Sequence, residues 1–233
     1  MKKFCIFSDV HGNSDVLKIL AETDDFKNAD ERIFLGDAVG CCPNFNEVLK
    51  ILFENNCIVL LGNHDVRAIF NRYDKKKFGN ADQEPHFKYI REHMLPEYLE
   101  KFKNSPKEYI LKVNGKILYF THYIWRTKYF IAERVKPMTL GTVSKKFESI
   151  KADYIFYGHE HKESYFCNGT TTYVGVGSLG MKFPGNYVML EVEDDGEIVI
   201  TCKKLKYDLT KLRREIRLCE LPLAKQITDE FYF

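Results

Sequence analysis

Short apolar runs that stop abruptly at a polar residue are the feature that most restricts the fold of this 233-residue chain. Each run is rich in β-branched, aromatic or leucine residues, which is typical of a buried strand. Asp, Asn or His follows each of them directly or one residue later. The runs read KFCIFSD, ERIFLGD, CIVLLGN, ILYFTH and YIFYGH. They predict buried strands that end in polar side chains.

Helical patterns lie between several of these strands and fix the class of fold. Apolar residues recur at helical spacing over 14–22, which Ser14 or Asp15 would cap, over 44–56 and over 139–151. Because strands that alternate with helices are joined by crossovers, this order predicts a largely parallel sheet covered by helices.

Turn dipeptides in the second half of the chain add antiparallel strands. Asn114-Gly115, Asn168-Gly169 and Asp195-Gly196 each separate two strand-like runs, as in a β-hairpin. A mixed system of this kind needs helices on its outer faces. We therefore predict an α/β (α+β) fold in which two packed mixed sheets lie between helices.

Length and charge limit the number of domains and the class of partner. A chain of 233 residues with 45% hydrophobic residues can bury one continuous core, so we predict one domain over 1–233. Its 35 Lys and Arg nearly balance its 33 Asp and Glu, which makes binding to nucleic acid unfavourable. We find no apolar stretch long enough for a membrane span.

Two segments carry separate expectations. The polar and aromatic segment 73–106, with helices on either side of Pro96, is either a lid over a site or a surface insertion. Apolar residues at helical spacing near the C-terminus predict an amphipathic helix over about 208–220.

Seven cysteines, several inside apolar runs, fit free thiols and a cytoplasmic location.

The polar residues at the strand ends predict a metal site. In open α/β sheets, ligands bind at the carboxyl ends of the strands. Asp9 and His11 are two residues apart, as are His159 and His161, so an extended chain would project each pair toward one side. Mixed nitrogen and oxygen donors suit manganese foremost, or iron, zinc, nickel or cobalt, and a carboxylate such as Asp37 can bridge two ions.

The motifs together resemble the calcineurin-like metallophosphoesterase superfamily, and within it the small bacterial and archaeal phosphoesterases. The resemblance to the superfamily rests on SDVHGN at 8–13, GD at 36–37, GNHD at 62–65 and GHEH at 158–161. The narrower resemblance rests on GDAVGCCPNFNEVL at 36–49 and on the segment 207–222. It implies a four-layer αββα sandwich and two divalent transition-metal ions. The implied ligands of the first ion are Asp9, His11, Asp37 and His161, and those of the second are Asp37, Asn63, His122 and His159. The implied role of His64 is to stabilise the transition state or protonate the leaving oxygen.

The chain departs from the pattern of the protein phosphatases in this superfamily. Those proteins carry an acidic or small residue, Arg and Gly where this chain has Gly40, Cys41 and Cys42. The missing Arg removes a bidentate phosphate clamp, so we expect a phosphodiester or a small phosphomonoester as substrate.

The predicted activity is hydrolysis by a hydroxide that bridges two metal ions. Arg67, Trp125 and Arg126 follow the GNHD and His122 segments and are candidates for contacts with substrate. Two alternatives remain open on the sequence. One is a noncatalytic protein-interaction scaffold on the same fold. The other is a nucleic-acid phosphodiesterase, which the basic C-terminal helix and Lys203, Lys204 and Lys206 favour.

Overall fold

The computed structural model describes residues 1–71, 83–126, 131–132 and 137–224, with the side chains of 126, 131 and 132 outside that description. Its first half contains β1 (Lys2–Phe7), α1 (Ser14–Ala21), α2 (Asp24–Lys27), β2 (Glu31–Phe34), α3 (Phe45–Glu54), β3 (Ile58–Val59), α4 (Asn63–Phe70), α5 (Gln83–His93) and α6 (Pro96–Lys103). Its second half contains β4 (Glu108–Val113), β5 (Lys116–Thr121), β6 (Trp125–Arg126), β7 (Ile131–Ala132), α7 (Leu140–Lys146), β8 (Tyr154–Tyr157), β9 (Glu163–Cys167), β10 (Thr172–Val176), β11 (Gly185–Val192), β12 (Ile198–Leu205) and α8 (Leu209–Leu218).

Ten of the strands in the described ranges form two mixed sheets of five strands each, which confirms the predicted class of fold, while β6 and β7 pair only with each other. The first sheet has the order β12-β11-β1-β2-β3, and its strands β1, β2 and β3 are parallel. The second sheet has the order β4-β5-β8-β10-β9, and its strands β5, β8 and β10 are parallel. The three hairpin dipeptides each join antiparallel neighbours: β4 with β5, β9 with β10, and β11 with β12.

Alternation of side chains along the strands separates the interior into layers. In β1, Phe4 and Ile6 belong to a buried cluster with residues of the second sheet, such as Phe156. Cys5 and Phe7 point the other way and join a cluster with the helices α1, α3, α5 and α8. Because successive residues of a strand face opposite sides, one strand thus contributes to two cores. A third cluster places Val143 of α7 on the outer face of the second sheet, which completes the αββα order.

Helix boundaries follow local capping, and two of them differ from the sequence prediction. Asn13 caps α1, its side chain accepting from the backbone N–H of Val16 at 3.4 Å, so neither Ser14 nor Asp15 is the cap. Helix α7 ends at Lys146 rather than near 151. The chain turns there and packs Phe147 on the second sheet, and this burial outweighs continued helix.

The segment predicted as a lid or insertion is helical where the structure describes it. Residues 72–82 lie outside the described part. Helix α6 begins at Pro96, where the missing N–H of proline costs nothing. Helix α5 buries Phe87 and Ile90 in the helix-side core. Near the C-terminus, α8 begins after its cap Asp208 and buries Leu212 and Ile216.

The helices within the described ranges, 1–71, 83–126, 131–132 and 137–224, are all too short or too polar to cross a lipid bilayer.

Candidate metal centre

The predicted ligands lie together at one end of the sandwich, in the loops that leave parallel strands. The loops after β1, β2 and β3 come from the first sheet, and those after β5 and β8 come from the second. Since the two sheets pack face to face, these loops meet at their shared carboxyl-end edge. The side chains brought together are Asp9, His11, Asp37, Asn63, His122, His159 and His161.

One group of possible ligands comprises Asp9, His11 and His161, whose ligand atoms all lie within 4.8 Å of one another. The Nε2 atom of His161 is 3.1 Å from Oδ1 of Asp9. The Nε2 atom of His11 lies 3.2 Å from Nε2 of His161. Two imidazole nitrogens and a carboxylate oxygen therefore converge on one point.

A second group comprises Asp37, His122 and His159, again with ligand atoms within 4.8 Å of one another. Asn63 extends this group, because its Oδ1 lies 3.2 Å from Nε2 of His122. The donors are again nitrogen and oxygen, with one neutral amide among them.

Asp37 stands between the two groups. Its Oδ2 is 3.6 Å from Nε2 of His11 in the first group and 3.4 Å from Nε2 of His122 in the second. Its Oδ1 accepts the backbone N–H of His64 at 2.8 Å. A single carboxylate oxygen thus faces both groups, while the other oxygen fixes the side chain to the start of α4.

The local backbone at these residues differs from the sequence prediction. We expected extended chain at Asp9 and His11 and at the pair His159 and His161. Instead all four have left-handed φ values of 56°, 50°, 68° and 53°, and Asp37 has 59°. Non-glycine residues adopt this region rarely and at an energetic cost, and such residues concentrate at functional sites. Tight left-handed turns, not extended strands, therefore bring each pair onto the site.

Glycines before two ligands permit a close approach of the loops, as the sequence predicts. A Cβ at Gly62 would lie 2.1 Å from Oδ1 of Asp37, and one at Gly36 would lie 2.4 Å from the backbone nitrogen of Gly62. Gly36 also has a φ of +112°. No larger residue fits at either position without moving the Asp37 loop.

Asp65, the last residue of GNHD, has a structural role that the sequence reasoning missed. Its buried carboxylate accepts backbone N–H groups of Asp37 at 2.7 Å, Gly62 at 2.8 Å and Val39 at 3.1 Å. These contacts join the loop after β2 to the start of α4. Asp65 therefore positions the backbone of both Asp37 and Asn63. The sequence signal that could have identified this role is the position of Asp65 at the end of the GNHD motif.

The hydrogen bonds of His122 test whether the donor set fits a cation. Its Nδ1 is 3.2 Å from the backbone oxygen of Leu35, so a neutral ring carries its proton there. Nε2 then presents a lone pair toward Oδ1 of Asn63 and Oδ2 of Asp37, which are also lone-pair acceptors. Facing acceptors repel unless a positive charge lies among them. The group therefore fits a cation.

The pKa shifts of the buried ionisable residues also indicate that a positive charge is favourable at this site. Burial opposes a charge on His122, but Asp37 and Asp9 outweigh it and raise the pKa of His122 to about 9. Burial likewise opposes ionisation of Asp37, yet His122 and His64 hold the pKa of its carboxyl far below the ordinary value. The carboxylates are ionised and attract either protons or metal ions to the neighbouring imidazoles.

His64 lies beside the two groups without belonging to the predicted ligands. Its ring meets the ring of His11 edge-on, with centroids 4.7 Å apart. One of its ring nitrogens lies within 4.8 Å of ligand atoms of His11 and Asp37. Burial, and then the neighbouring His11 and Arg67, lower the pKa of His64 far below its ordinary value against the pull of Asp37. The ring is therefore neutral and can donate one hydrogen bond.

The candidate substrate residues differ in how close they lie to this centre. Arg67 is only 9% exposed, and its guanidinium lies 5.7 Å from the ring centroid of Phe87. Trp125 is half-buried, and its ring lies 6.4 Å from that of His122. The Nζ atom of Lys107 lies over the Trp125 ring at 5.3 Å. Arg126 belongs to β6, and its side chain lies outside the described part.

Two mixed sheets between helices, with carboxylate, amide and imidazole donors at their shared edge, define an α/β sandwich with a candidate metal centre. The sequence family is more specific. Residues 2–195 match the calcineurin-like phosphoesterase superfamily domain, and the chain belongs to that superfamily. The resemblance drawn from the sequence motifs is thereby confirmed.

Three similar proteins match 93% or more of the chain. An uncharacterized protein from Methanocaldococcus jannaschii is 25% identical, over 93% of each chain. The crystal structure of a metallophosphoesterase from Sphaerobacter thermophilus has a TM-score of 0.74 and 18% identity, covering 100% of this chain and 99% of that one. A hypothetical protein from Pyrococcus horikoshii OT3 has a TM-score of 0.79 and 17% identity, covering 97% of both. At these identities the two structures show a shared fold.

Proposed function

We propose that the chain hydrolyses a phosphodiester or a small phosphomonoester with the help of two divalent transition-metal ions, manganese foremost. Asp9, His11, Asp37 and His161 would hold one ion. Asp37, Asn63, His122 and His159 would hold the other. When bound, such ions acidify a water molecule for attack on phosphorus and neutralise charge on the phosphoryl oxygens.

The observation that supports this proposal is the position of Asp37 between two groups of possible ligands. Its Oδ2 faces His11 at 3.6 Å and His122 at 3.4 Å, and Asp37 is the one residue that belongs to both proposed ligand sets. A cluster of this composition, buried and without cations, would leave carboxylates facing imidazole lone pairs. Repulsion between these buried acceptors would destabilise the folded state, so packing alone does not account for the arrangement.

His64 would act on the leaving group. Its ring is half-buried beside the donor groups, and its backbone is fixed by the contact with Asp37. A neutral imidazole donates one hydrogen bond, which can stabilise negative charge that develops on the leaving oxygen. We therefore assign to His64 the stabilisation or protonation of that oxygen.

The loop that follows Asp37 favours a small substrate. Cys41 and Cys42 are buried, and Sγ of Cys41 lies 3.2 Å from Sδ of Met181. Gly40 packs on His11, because a Cβ there would be 2.3 Å from Nδ1 of that ring. None of these residues presents a charge to a substrate. Recognition would therefore rest mainly on the metal ions held by the donor groups, which would contact the phosphoryl group.

The direct test is hydrolysis of bis-p-nitrophenyl phosphate and p-nitrophenyl phosphate by protein purified without chelator. Manganese, nickel, cobalt, zinc and magnesium are compared, and Asp37→Asn is the matched inactive variant. We expect turnover that depends on added metal and disappears with chelator. The ratio of the two rates assigns diester or monoester preference. Tight binding of metal without turnover on either ester would contradict the proposed activity and favour a noncatalytic scaffold.

A further inference from the structure

The orientation of His64 has no hydrogen bond to explain it within the described part of the chain. Its Nδ1 is buried and has no hydrogen-bond partner among residues 1–71, 83–126, 131–132 and 137–224. The last torsion of a histidine side chain is broad and roughly two-fold, so sterics or hydrogen bonds must select one setting. For His64, contacts of the faces and edges of its ring with neighbouring side chains must therefore select the setting of this torsion.

The ring of His64 lies between two other rings. His11 meets it on one side, with centroids 4.7 Å apart and planes at 86°. Phe87 of α5 meets it on another, with centroids 5.5 Å apart and planes at 64°. Tilted, edge-on contacts of this kind restrict rotation about the ring axis and are favourable in themselves.

Phe87 is held firmly enough to impose an orientation. Its side chain is only 2% exposed, and the guanidinium of Arg67, one turn after His64 on α4, covers its ring at 5.7 Å. Helix α5 is also anchored at both ends. His86 contacts the backbone oxygen of Pro222, and Asn46 donates to the backbone oxygen of His93 at 2.8 Å.

We propose that Phe87 is a positioning residue for His64, which it holds by ring contact where other enzymes use a hydrogen-bond acceptor. The inference rests on the proposed function of His64 at the leaving oxygen. We assign to Phe87 no contact with substrate or metal. Loss of its ring would leave His64 chemically intact but free to turn away, so the defect would concern the leaving group alone.

The matched variants are Phe87→Leu, Phe87→Ala and Ile90→Val. Ile90 lies on the same helix and in the same buried cluster, and it is 0% exposed. Ile90→Val therefore reports on weakened packing of α5 without removal of the ring. Phe87→Leu keeps most of the buried volume, so it remains informative if Phe87→Ala does not fold.

The assay compares diphenyl phosphate with bis-p-nitrophenyl phosphate, using full-length protein loaded with manganese. Phenolate is as basic as a tyrosine side chain, with a pKa of about 10, and needs help to leave, whereas p-nitrophenolate leaves more easily. For Phe87→Leu we expect kcat for diphenyl phosphate to fall about 10-fold or more, a part of the usual contribution of a general acid. The kcat for bis-p-nitrophenyl phosphate, KM and metal content should stay within about 3-fold of wild type.

A second readout does not use turnover. In metal-free protein, which avoids line broadening by paramagnetic manganese, the ring resonances of His64, identified by their loss in His64→Asn, should shift in Phe87→Leu and stay in place in Ile90→Val. Equal losses on both substrates, or the same behaviour of Ile90→Val, would overturn the positioning role while leaving the hydrolase intact. Wild-type protein without turnover would refute the proposed function instead, and the resonances would still decide whether Phe87 orients the ring.

Discussion

Replacement of Asp65 by Asn isolates the contribution of one buried carboxylate to the geometry of the centre. Oδ2 of Asp65 accepts the N–H groups of Asp37 and Gly62, and Oδ1 accepts that of Val39. An amide has one acceptor oxygen. In Asp65→Asn that oxygen can keep two of the bonds, but the NH₂ group then faces the third N–H, donor against donor.

The size of the effect follows from these contacts. A hydrogen bond to a charged acceptor contributes about 1.5–3 kcal/mol, and one to a neutral acceptor about 1 kcal/mol. Loss of one such bond and weakening of two others would cost roughly 3–4 kcal/mol. Burial and the neighbouring charge of Asp37 raise the pKa of Asp65 to about 7, so removal of the charge returns a similar amount of free energy. The opposed N–H and NH₂ donors then decide the sign, and we expect a net loss of about 1 kcal/mol in the free energy of unfolding.

Urea unfolding at pH 8 with chelator measures this loss without a contribution from bound metal. Asp153→Asn is the control, because the side chain of Asp153 accepts one hydrogen bond within the described residues, from the backbone N–H of Ile117, and an amide oxygen can accept it instead. That variant should change the free energy of unfolding by less than about 0.5 kcal/mol. An unchanged or higher stability of Asp65→Asn would show that repulsion from Asp37 outweighs the hydrogen bonds, and would refute the reasoning.

Further predictions concern the metal ligands and His64. Asp37→Asn should lose both ions together, and retention of two metal equivalents by elemental analysis would contradict its shared position. His64→Asn should keep its metal yet lose about 10²-fold or more in kcat, and unchanged kcat would remove His64 from the mechanism. In the metal-free protein the pKa of His122 is raised from 6.5 to about 9, so its stabilising effect is complete below pH 6.5 and lost as the pH rises through about 9. This effect alone should lower the free energy of unfolding by roughly 3 kcal/mol over that range, measured by urea unfolding. His122→Asn should weaken the pH dependence without abolishing it, because the pKa of His11 is raised as well.

Much of the site could be predicted because its residues follow strands. The five apolar runs end at Asp9, Asp37, Asn63, His122 and His159, and parallel strands carry their carboxyl ends to one edge. The local sequence pattern therefore predicted that side chains distant in sequence lie close together in the fold. The resemblance to the superfamily added the division into two groups of ligands.

Other features escaped prediction because no local pattern encodes them. The left-handed backbone at Asp9 and His11 is imposed by hydrogen bonds to the neighbouring loop, from N of Asp9 to O of Gly36 and from N of His11 to O of Asp37, both 2.9 Å. The contact of Phe87 with His64 depends on how α5 packs across α4. Helix propensity and spacing carry no information about either.

The sequence by itself determined the number and kind of chemical groups, the strands that deliver them and the two-sheet architecture, because side-chain alternation and turn chemistry act over a few residues. Only the tertiary structure decided that Oδ2 of Asp37 faces both groups of possible ligands. It also decided that Oδ1 of Asp37 and the carboxylate of Asp65 accept hydrogen bonds from backbone N–H groups. Those choices depend on distances between loops from different strands. Such distances are fixed by the packing of the whole sandwich and not by any one segment.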